Sequence, residues 1–443
     1  MLAALRTVEA ELDRRWPESR IEPSLTRIAA LVDLLGSPQR HYPVLHIAGT
    51  NGKTSVARML DALLSRVGLR VGRYTSPHLQ EVTERISLDG VSITPERYIE
   101  AYHDIEPYVA LVDAGSPVPM SKFEVLTGMA FGAFADTPVD AAVVEVGLGG
   151  SWDATNVADA AVAAITPIAV DHVNYLGSDI AGIAAEKAGI IKPGSVAVLA
   201  AQPPEVARVL AARSIEVGAT VAREGIEFGV LQREIAVGGQ QLKLQGLGGA
   251  YGEIFLPLHG PHQARNAVLA LAAAEAFFGA GGDLSLDVDA VRDAFASVTA
   301  PGRLERVRTA PSVFLDSAHN PHGAQALAAA LRAEFAFGRL VAVVGVMQDK
   351  DARGILAELE PVVDEVVLTS SSSPRAMDVE DLAMAAQEVF DDSRLRVEAR
   401  LPEAIEVAIE AADPDSDGIS GVVVTGSVAM VGAARSLFGR DPQ

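Results

Sequence analysis

Val44-Leu45-His46-Ile47-Ala48-Gly49-Thr50-Asn51-Gly52-Lys53-Thr54-Ser55-Val56-Ala57-Arg58-Met59-Leu60 passes from an apolar run through a glycine loop into an amphipathic stretch. Val44 to Ile47 read as the end of a buried strand, and Gly49 to Lys53 as a tight loop. Thr54 onward reads as the start of a helix with apolar Val56, Met59, Leu60 and Leu63. A strand, a glycine loop and a lysine at a helix N-terminus form a phosphate cradle: backbone N–H groups and the helix dipole face the anion, and Lys53 adds a full positive charge. Thr54 and Ser55 bring hydroxyls to phosphate or to magnesium. The spacing departs from G-x-x-x-x-G-K-[ST], because Ile47 occupies the first glycine's place. The alternative, an N-cap turn that happens to hold a lysine, does not explain why strand and helix are both in register.

Outside this stretch, length and composition set bounds. A chain of 443 residues is long enough for two or three domains, and 49% apolar residues supply the cores. No segment stays apolar long enough to span a membrane, and Met1–Arg20 lacks the apolar core of a signal peptide. Cysteine is absent, which excludes disulfides, thiolate metal sites and a cysteine nucleophile. A cytoplasmic protein without membrane partners is expected. The net charge of −22 argues against a general nucleic-acid surface, so an anionic substrate must be gathered by a local basic pocket.

The pattern along the chain predicts an α/β protein of two domains: residues 1–299, a nucleotide-binding domain built on a parallel sheet, and 300–443, a smaller Rossmann-like α/β domain. In the first, helical spacing marks 1–36, 95–112 and 123–134, and short apolar runs mark strands at 70–74, 141–146, 161–165 and 196–200. From 216 to 258, short alternating stretches suggest a small antiparallel region. Ala300-Pro301-Gly302 punctuates the boundary. Beyond it, strands are expected near 313–316, 340–346, 365–369 and 421–425, alternating with helices. Biased loops are confined to 279–283 and 370–374.

Parallel sheets place ligands at the carboxyl ends of their strands. Glu145 ends one strand, before Gly147-Leu148-Gly149-Gly150, where an acid can hold Mg²⁺; a charged strand terminus is the alternative. Asp171-His172 ends another, although magnesium prefers oxygen ligands and a lone histidine is commonly structural. Lys187, at a helix end, reads as a cation against the helix dipole. Asp316-Ser317-Ala318-His319-Asn320-Pro321 follows a strand of the second domain, and Arg303 sits beside the boundary, within reach of phosphates held by the first. Charge alone would make the segment 345–351 a solvated loop.

Together these stretches resemble the folylpolyglutamate synthase/dihydrofolate synthase family of the Mur ligase superfamily. The matches are Gly49–Ser55, Thr75–His78 with Glu84-Arg85-Ile86, Glu145–Asn156, Asp171-His172, Glu186–Ile190, His262-Gln263 with Asn266, Pro301–Arg303 and Asp316–Pro321, in family order. The resemblance implies ATP phosphates on Thr50, Asn51, Gly52, Lys53, Thr54 and Ser55, and magnesium on Ser76, Glu145 and His172. It implies a carbamylated Lys187, with Asn266, Arg303 and Asp316 contacting ATP from the far side of a cleft and His319 close by. Arg85, Lys122, Phe123, Glu124 and Val125, with Trp152, Asp153 and Ala154, would line the pterin-side pocket. Ser151 departs from the arginine common in the family, and Thr54 from a frequent glycine.

The implied activity is ATP-dependent addition of L-glutamate to a folate or to dihydropteroate through an acyl phosphate, by a monomer. A Mur-type ligase acting on a UDP-sugar peptide, and an ATP-binding protein without ligase activity, are the competing readings.

Overall fold

The computed structural model describes residues 1–17, 22–279, 285–412 and 420–443. Val44–Ala48 forms strand β1, and every one of its residues is buried. That fits a run without alternation, since a strand covered by helices on both faces has no solvent side. Around it assemble β2 (Val71–Tyr74), β3 (Ile86–Leu88), β4 (Val91–Ser92), β5 (Ala141–Glu145), β6 (Val162–Ile165), β7 (Val196–Leu199) and β8 (Thr220–Arg223). They pair in the order β4-β3-β2-β5-β1-β6-β7-β8. β3 and β4 are antiparallel, and the other pairings are parallel. β1 lies between β5 and β6, with Ile47 beside Glu145 and Ala48 beside Ile165, so their loops open on the same edge.

Helices cover both faces. Lys53–Arg66, Pro261–Phe277 and Val288–Ser297 close one side around Leu60, Leu63, Val268 and Phe295. Thr26–Leu34, Pro95–Gly115 and Lys122–Asp136 close the other around Leu31, Ile105, Leu126 and Phe131. Three antiparallel strands, β9 (Gly229–Ala236), β10 (Gly239–Gln245) and β11 (Ala250–Leu256), form a second sheet against Pro261–Phe277. The antiparallel region therefore begins at 229, not at 216. Pro204–Val217 is a helix, burying Val206, Leu210 and Ser214 at four-residue spacing, and β8 extends the parallel sheet.

The third sheet orders β12 (Glu305–Thr309), β13 (Ser312–Asp316), β17 (Ser420–Thr425), β14 (Arg339–Val344), β15 (Glu365–Ser370) and β16 (Leu395–Arg400). Its inner strands follow the expected apolar runs. β12 and β16 were not expected, because Glu-Arg-Val-Arg-Thr and Leu-Arg-Val-Glu-Ala-Arg are polar and partly exposed. Charged side chains belong on edge strands, where they block pairing with other chains. Most of the loop expected at 279–283 lies outside the described residues. Among the described residues no helix is long and apolar enough to cross a membrane.

Candidate active site

A cavity of about 1880 Å³ opens where the strand ends of the first and third sheets converge. It is lined by 49–55 after β1, 76–80 after β2, Glu145 at the end of β5 and 167–172 after β6. Facing them are 316–319 at and after β13, Met347 and Lys350 after β14, and 427–429 after β17.

The glycine loop is held by close approach. Gly49 has φ +140°, and a Cβ there would lie 1.9 Å from Thr166 Oγ1; at Gly52, φ +93°, it would lie 2.6 Å from Asn266 Oδ1. Only glycine fits either position. Lys53 Nζ donates to the carbonyls of Gly49 and Thr50 at 3.2 and 3.1 Å. Burial pulls its pKa below the usual lysine range, although Glu145 and Asp171 oppose the shift. The Thr54 hydroxyl donates to the Glu145 carboxylate, 3.0 Å from Oε1 and 3.1 Å from Oε2. Glu145 is buried, which pushes its carboxyl up against Lys53, Thr54, Arg303 and the Ser76 backbone. Asn266 Nδ2 donates to Gln263 Oε1 at 3.0 Å, and Gln263 Nε2 is 3.5 Å from Ser55 Oγ.

Across the cavity, Asp316 accepts from the N–H groups of Leu304 and Ala318 at 2.8 and 2.9 Å and so shapes the turn that carries Arg303. His319 Nδ1 lies 2.9 Å from the Ser317 carbonyl, leaving Nε2 3.7 Å from Asp171 Oδ2. Burial lowers its pKa to about 4, so the ring is neutral near pH 7.

The two walls are stitched together by contacts that sequence reasoning did not anticipate, drawing on His322 and Lys350, which it did not select. Asn51 and Asn320 exchange amide hydrogen bonds at 3.0 and 3.1 Å, and His322 Nδ1 lies 2.9 Å from Asn51 Nδ2. Asn320 also donates to Asp171 Oδ2 at 2.9 Å. Lys350, from the segment expected to be solvated, donates to Asp171 Oδ1 at 2.6 Å. Burial alone would raise the Asp171 carboxyl, but Lys350, His172 and His319 hold it well below the usual carboxylate range.

The three residues expected at a metal are divided. Ser76 and Glu145 adjoin each other, whereas His172 sits with Asp171 and 3.5 Å from Lys350 Nζ. Its backbone is left-handed at φ +53°, its N–H donates to Asp171 Oδ1 at 2.7 Å, and burial lowers its pKa to about 3. Among the described residues no three His, Cys, Asp or Glu side chains gather into a metal site.

Lys187 is buried and lines the cavity, and its Nζ makes no hydrogen bond among the described residues. Burial, with Lys53 nearby, pulls its pKa down to about 7. The helix-dipole reading understated this, because desolvation of the ammonium outweighs it. Ser151 is fixed by the same turn: its Oγ donates to the Glu186 carbonyl at 3.0 Å, and a Cβ on Gly189 would lie 2.0 Å from it.

On the expected pterin side, Phe123, Trp152 and Ala154 line the cavity. Val125 does not: it is fully buried in the core, because the helix turns it away from the opening. Arg85 is not a lining residue either; its Nε donates to His78 Nδ1 at 3.0 Å, and it is His78 that reaches the cavity. Glu124 borders the cavity, but it is engaged by Arg27 Nε at 3.0 Å and caps its own helix through the Ser121 N–H at 2.7 Å. Asp153 accepts from the Leu148 and Thr155 N–H groups at 2.8 and 3.0 Å, so it folds the loop rather than facing a ligand freely. Lys122 donates to Asp13 at 2.6 Å. That contact ties in the N-terminal segment, whose Asp13 and Trp16 line the cavity without any motif to announce them.

The Mur ligase middle domain family matches residues 123–274, and the Mur ligase glutamate ligase domain family matches 302–428. A dihydrofolate synthase/folylpolyglutamate synthase of Mycobacterium tuberculosis is 62% identical over 464 aligned residues, covering 100% of this chain and 95% of the relative. The chain belongs to the dihydrofolate synthase/folylpolyglutamate synthase family. An Escherichia coli dihydrofolate synthase/folylpolyglutamate synthase is 34% identical, over 82% of this chain and 81% of the relative. The Mycobacterium tuberculosis folylpolyglutamate synthase complexed with ADP superimposes with a TM-score of 0.96 at 61% identity, over 100% of both chains. Escherichia coli FolC in complex with DHPP and ADP superimposes with a TM-score of 0.85 at 31% identity, over 99% of this chain and 97% of the other. The α/β architecture expected from the sequence agrees with these dihydrofolate synthase/folylpolyglutamate synthase structures.

Proposed function

We propose that this protein adds L-glutamate to the carboxylate of a folate or of dihydropteroate, using ATP. The observation that carries the reading is one cavity with a lysine-bearing glycine loop and a buried carboxylate on one wall, Arg303 and Asp316 on the other, and Phe123 and Trp152 beside them. A carboxylate is a poor electrophile, so its oxygen first takes the ATP γ-phosphoryl group, giving an acyl phosphate and ADP. Lys53, with Arg303 opposite, offsets the charge that develops on the transferring group. The glutamate amine then attacks the acyl carbon, and phosphate leaves with the former carboxylate oxygen. The Asn51–Asn320 and Asp171–Lys350 contacts bring the walls together and exclude water, which would otherwise hydrolyse the acyl phosphate.

Magnesium fits one part of the site better than the other. Glu145, buried and already drawing the Thr54 hydroxyl and the Ser76 backbone, supplies the oxygen-rich setting that a hard cation needs. His172, beside an ammonium, is the weaker candidate ligand. When bound, the ion would neutralise phosphate charge. Lys187 has a proton affinity low enough to leave much of its amine neutral at pH 7, so it can add to CO₂ and release a proton to give a carbamate. The domain boundary near 299/300, a cytoplasmic location and a monomeric state belong to the same proposal.

The test is ADP release with glutamate present, measured with dihydropteroate and then with tetrahydrofolate. Glutamate-dependent release with either supports the reading, and with both shows a bifunctional enzyme. Release only with a UDP-muramoyl acceptor, or ATP binding without glutamate-dependent release, overturns it.

A further inference from the structure

Further along the helix that begins at Lys53, a second cavity of about 380 Å³ lies apart from the one just described. The helix contributes Arg58, Asp61 and Arg66; β2 contributes Arg73; the turn 89–91 and the segment 297–299 close it. Arg66 lies about 20 Å from Lys53 along the helix axis, at 1.5 Å per residue.

Three arginines and two aspartates line this cavity. Asp61 is buried and accepts from Arg73 Nη1 at 2.8 Å and from the Ser65 hydroxyl at 3.3 Å. Asp89 accepts from the Val71 N–H at 3.1 Å and lies 3.8 Å from Arg70 Nε. Both carboxylates therefore already have partners. Arg73 is 4% exposed, and its Nε is buried with no hydrogen-bond partner. Arg66 forms no ion pair among the described residues. Arg58 donates to the backbone oxygen of Gln443 at 3.0 Å, and burial with the neighbouring Arg73 and Arg435 pulls its proton affinity down to about 9, although Glu84 and Asp61 oppose the shift. Crowded guanidinium groups repel one another, and an anion in the cavity relieves that repulsion.

We propose that this cavity binds a phosphate dianion, either free or as the phosphoryl group of a monoester. Guanidinium forks match the paired oxygens of phosphate, and three of them around one space suit a tetrahedral dianion better than a single carboxylate. The segment 297–299 runs directly into 300–303, so an anion held here ties the nucleotide-loop helix to the stretch carrying Arg303.

The enzyme saturated with magnesium and AMPPCP, which fills the nucleotide site, is titrated with inorganic phosphate and separately with ethyl phosphate by calorimetry. Crystals of the same complex are soaked in selenate. Uptake of further phosphate, an anomalous selenium peak between Arg58, Arg66 and Arg73, and about tenfold weaker binding in both Arg58→Gln and Arg66→Gln support the site. Binding of inorganic phosphate alone assigns it to the free ion, and binding of ethyl phosphate as well assigns it to monoesters. Arg66 is exposed at the helix end, so Arg66→Gln keeps the test decisive if Arg58→Gln fails to fold. No uptake with the nucleotide site filled, or undiminished affinity in Arg66→Gln, overturns the proposal. Selenium scattered over surface arginines with no peak in the cavity, an adventitious ion only, does so too.

Discussion

Replacing Lys350 with methionine removes the ammonium that joins the loop after β14 to Asp171 after β6. Nζ lies 2.6 Å from Oδ1, and the two side chains are 6% and 8% exposed. Removing one partner from a buried pair costs ~3–5 kcal/mol. Asp171 retains the Asn320 amide at 2.9 Å and the His172 N–H at 2.7 Å, which places the loss at the lower end of that range. At ~1.4 kcal/mol per tenfold, kcat/KM falls by about 10²-fold if the chemistry requires the two walls together. The chain contains no cysteine, so cysteines introduced on the helices Pro95–Gly115 and Val379–Gln387 accept fluorophores cleanly and report the distance between the walls. Lys350→Met should lengthen that distance in the presence of ATP and folate, while thermal melting of the cores changes little. In a double-mutant cycle with Asp171→Asn the coupling should reach at least ~2 kcal/mol. The sign with pH follows from Asp171, whose folded pKa is depressed. Its contribution is complete above the unfolded carboxylate value of about 4 and is lost as pH falls through the folded value, so the mutant deficit stays constant from pH 6 to 8. Wild-type kcat/KM and closure in Lys350→Met, or a coupling below about 0.5 kcal/mol, would refute the cross-cavity pair.

Three further outcomes are expected. Lys53→Ala should lower kcat by roughly 10²–10³-fold in a protein whose melting curve is unchanged; near-normal ADP release would remove the glycine loop from the ATP site. Glu145→Gln should shift the magnesium titration to higher concentration. The wild-type titration should itself move to higher magnesium as pH falls, because burial has raised this carboxyl and protons compete with the metal earlier, so its difference from Glu145→Gln narrows; identical titrations would exclude Glu145. Lys187→Ala should lose most activity and recover part of it with added short carboxylic acids. Wild-type activity should rise with dissolved CO₂ as pH passes upward through about 7, where the amine loses its proton; normal turnover in Lys187→Ala, or indifference to CO₂, would count against the carbamate.

What could be read from the sequence is what local physics determines. Gly49 and Gly52 are demanded by contacts with Thr166 and Asn266, but the need for φ > 0 next to a strand end is already visible in the strand–loop–helix pattern. The buried strands β13, β14, β15 and β17 announce themselves as apolar runs. β12 and β16 do not, because an edge strand carries the same charges as a loop. Helical facing explains Val125: next to Glu124 in sequence, it points into the core while Glu124 borders the cavity.

The seam between the walls has no local signature. Lys350 and Asp171 are 179 residues apart, and Asn51 and Asn320 are 269 apart. A lysine within Gln-Asp-Lys-Asp carries no mark that separates a cross-cavity partner from a solvated charge; only the positions of two sheets, each built by its own strands, decide it. The consequence falls on the glycine loop itself. Asn51, which reads as a phosphate-facing residue, has its amide engaged by Asn320, and Asn320 in turn holds the Asp171 that binds Lys350. The glycine loop and the position of the opposite wall are therefore one hydrogen-bonded unit. A nucleotide that reorients Asn51 must alter the Asn320 contact, and a shift of the Asn320 loop must alter the cradle.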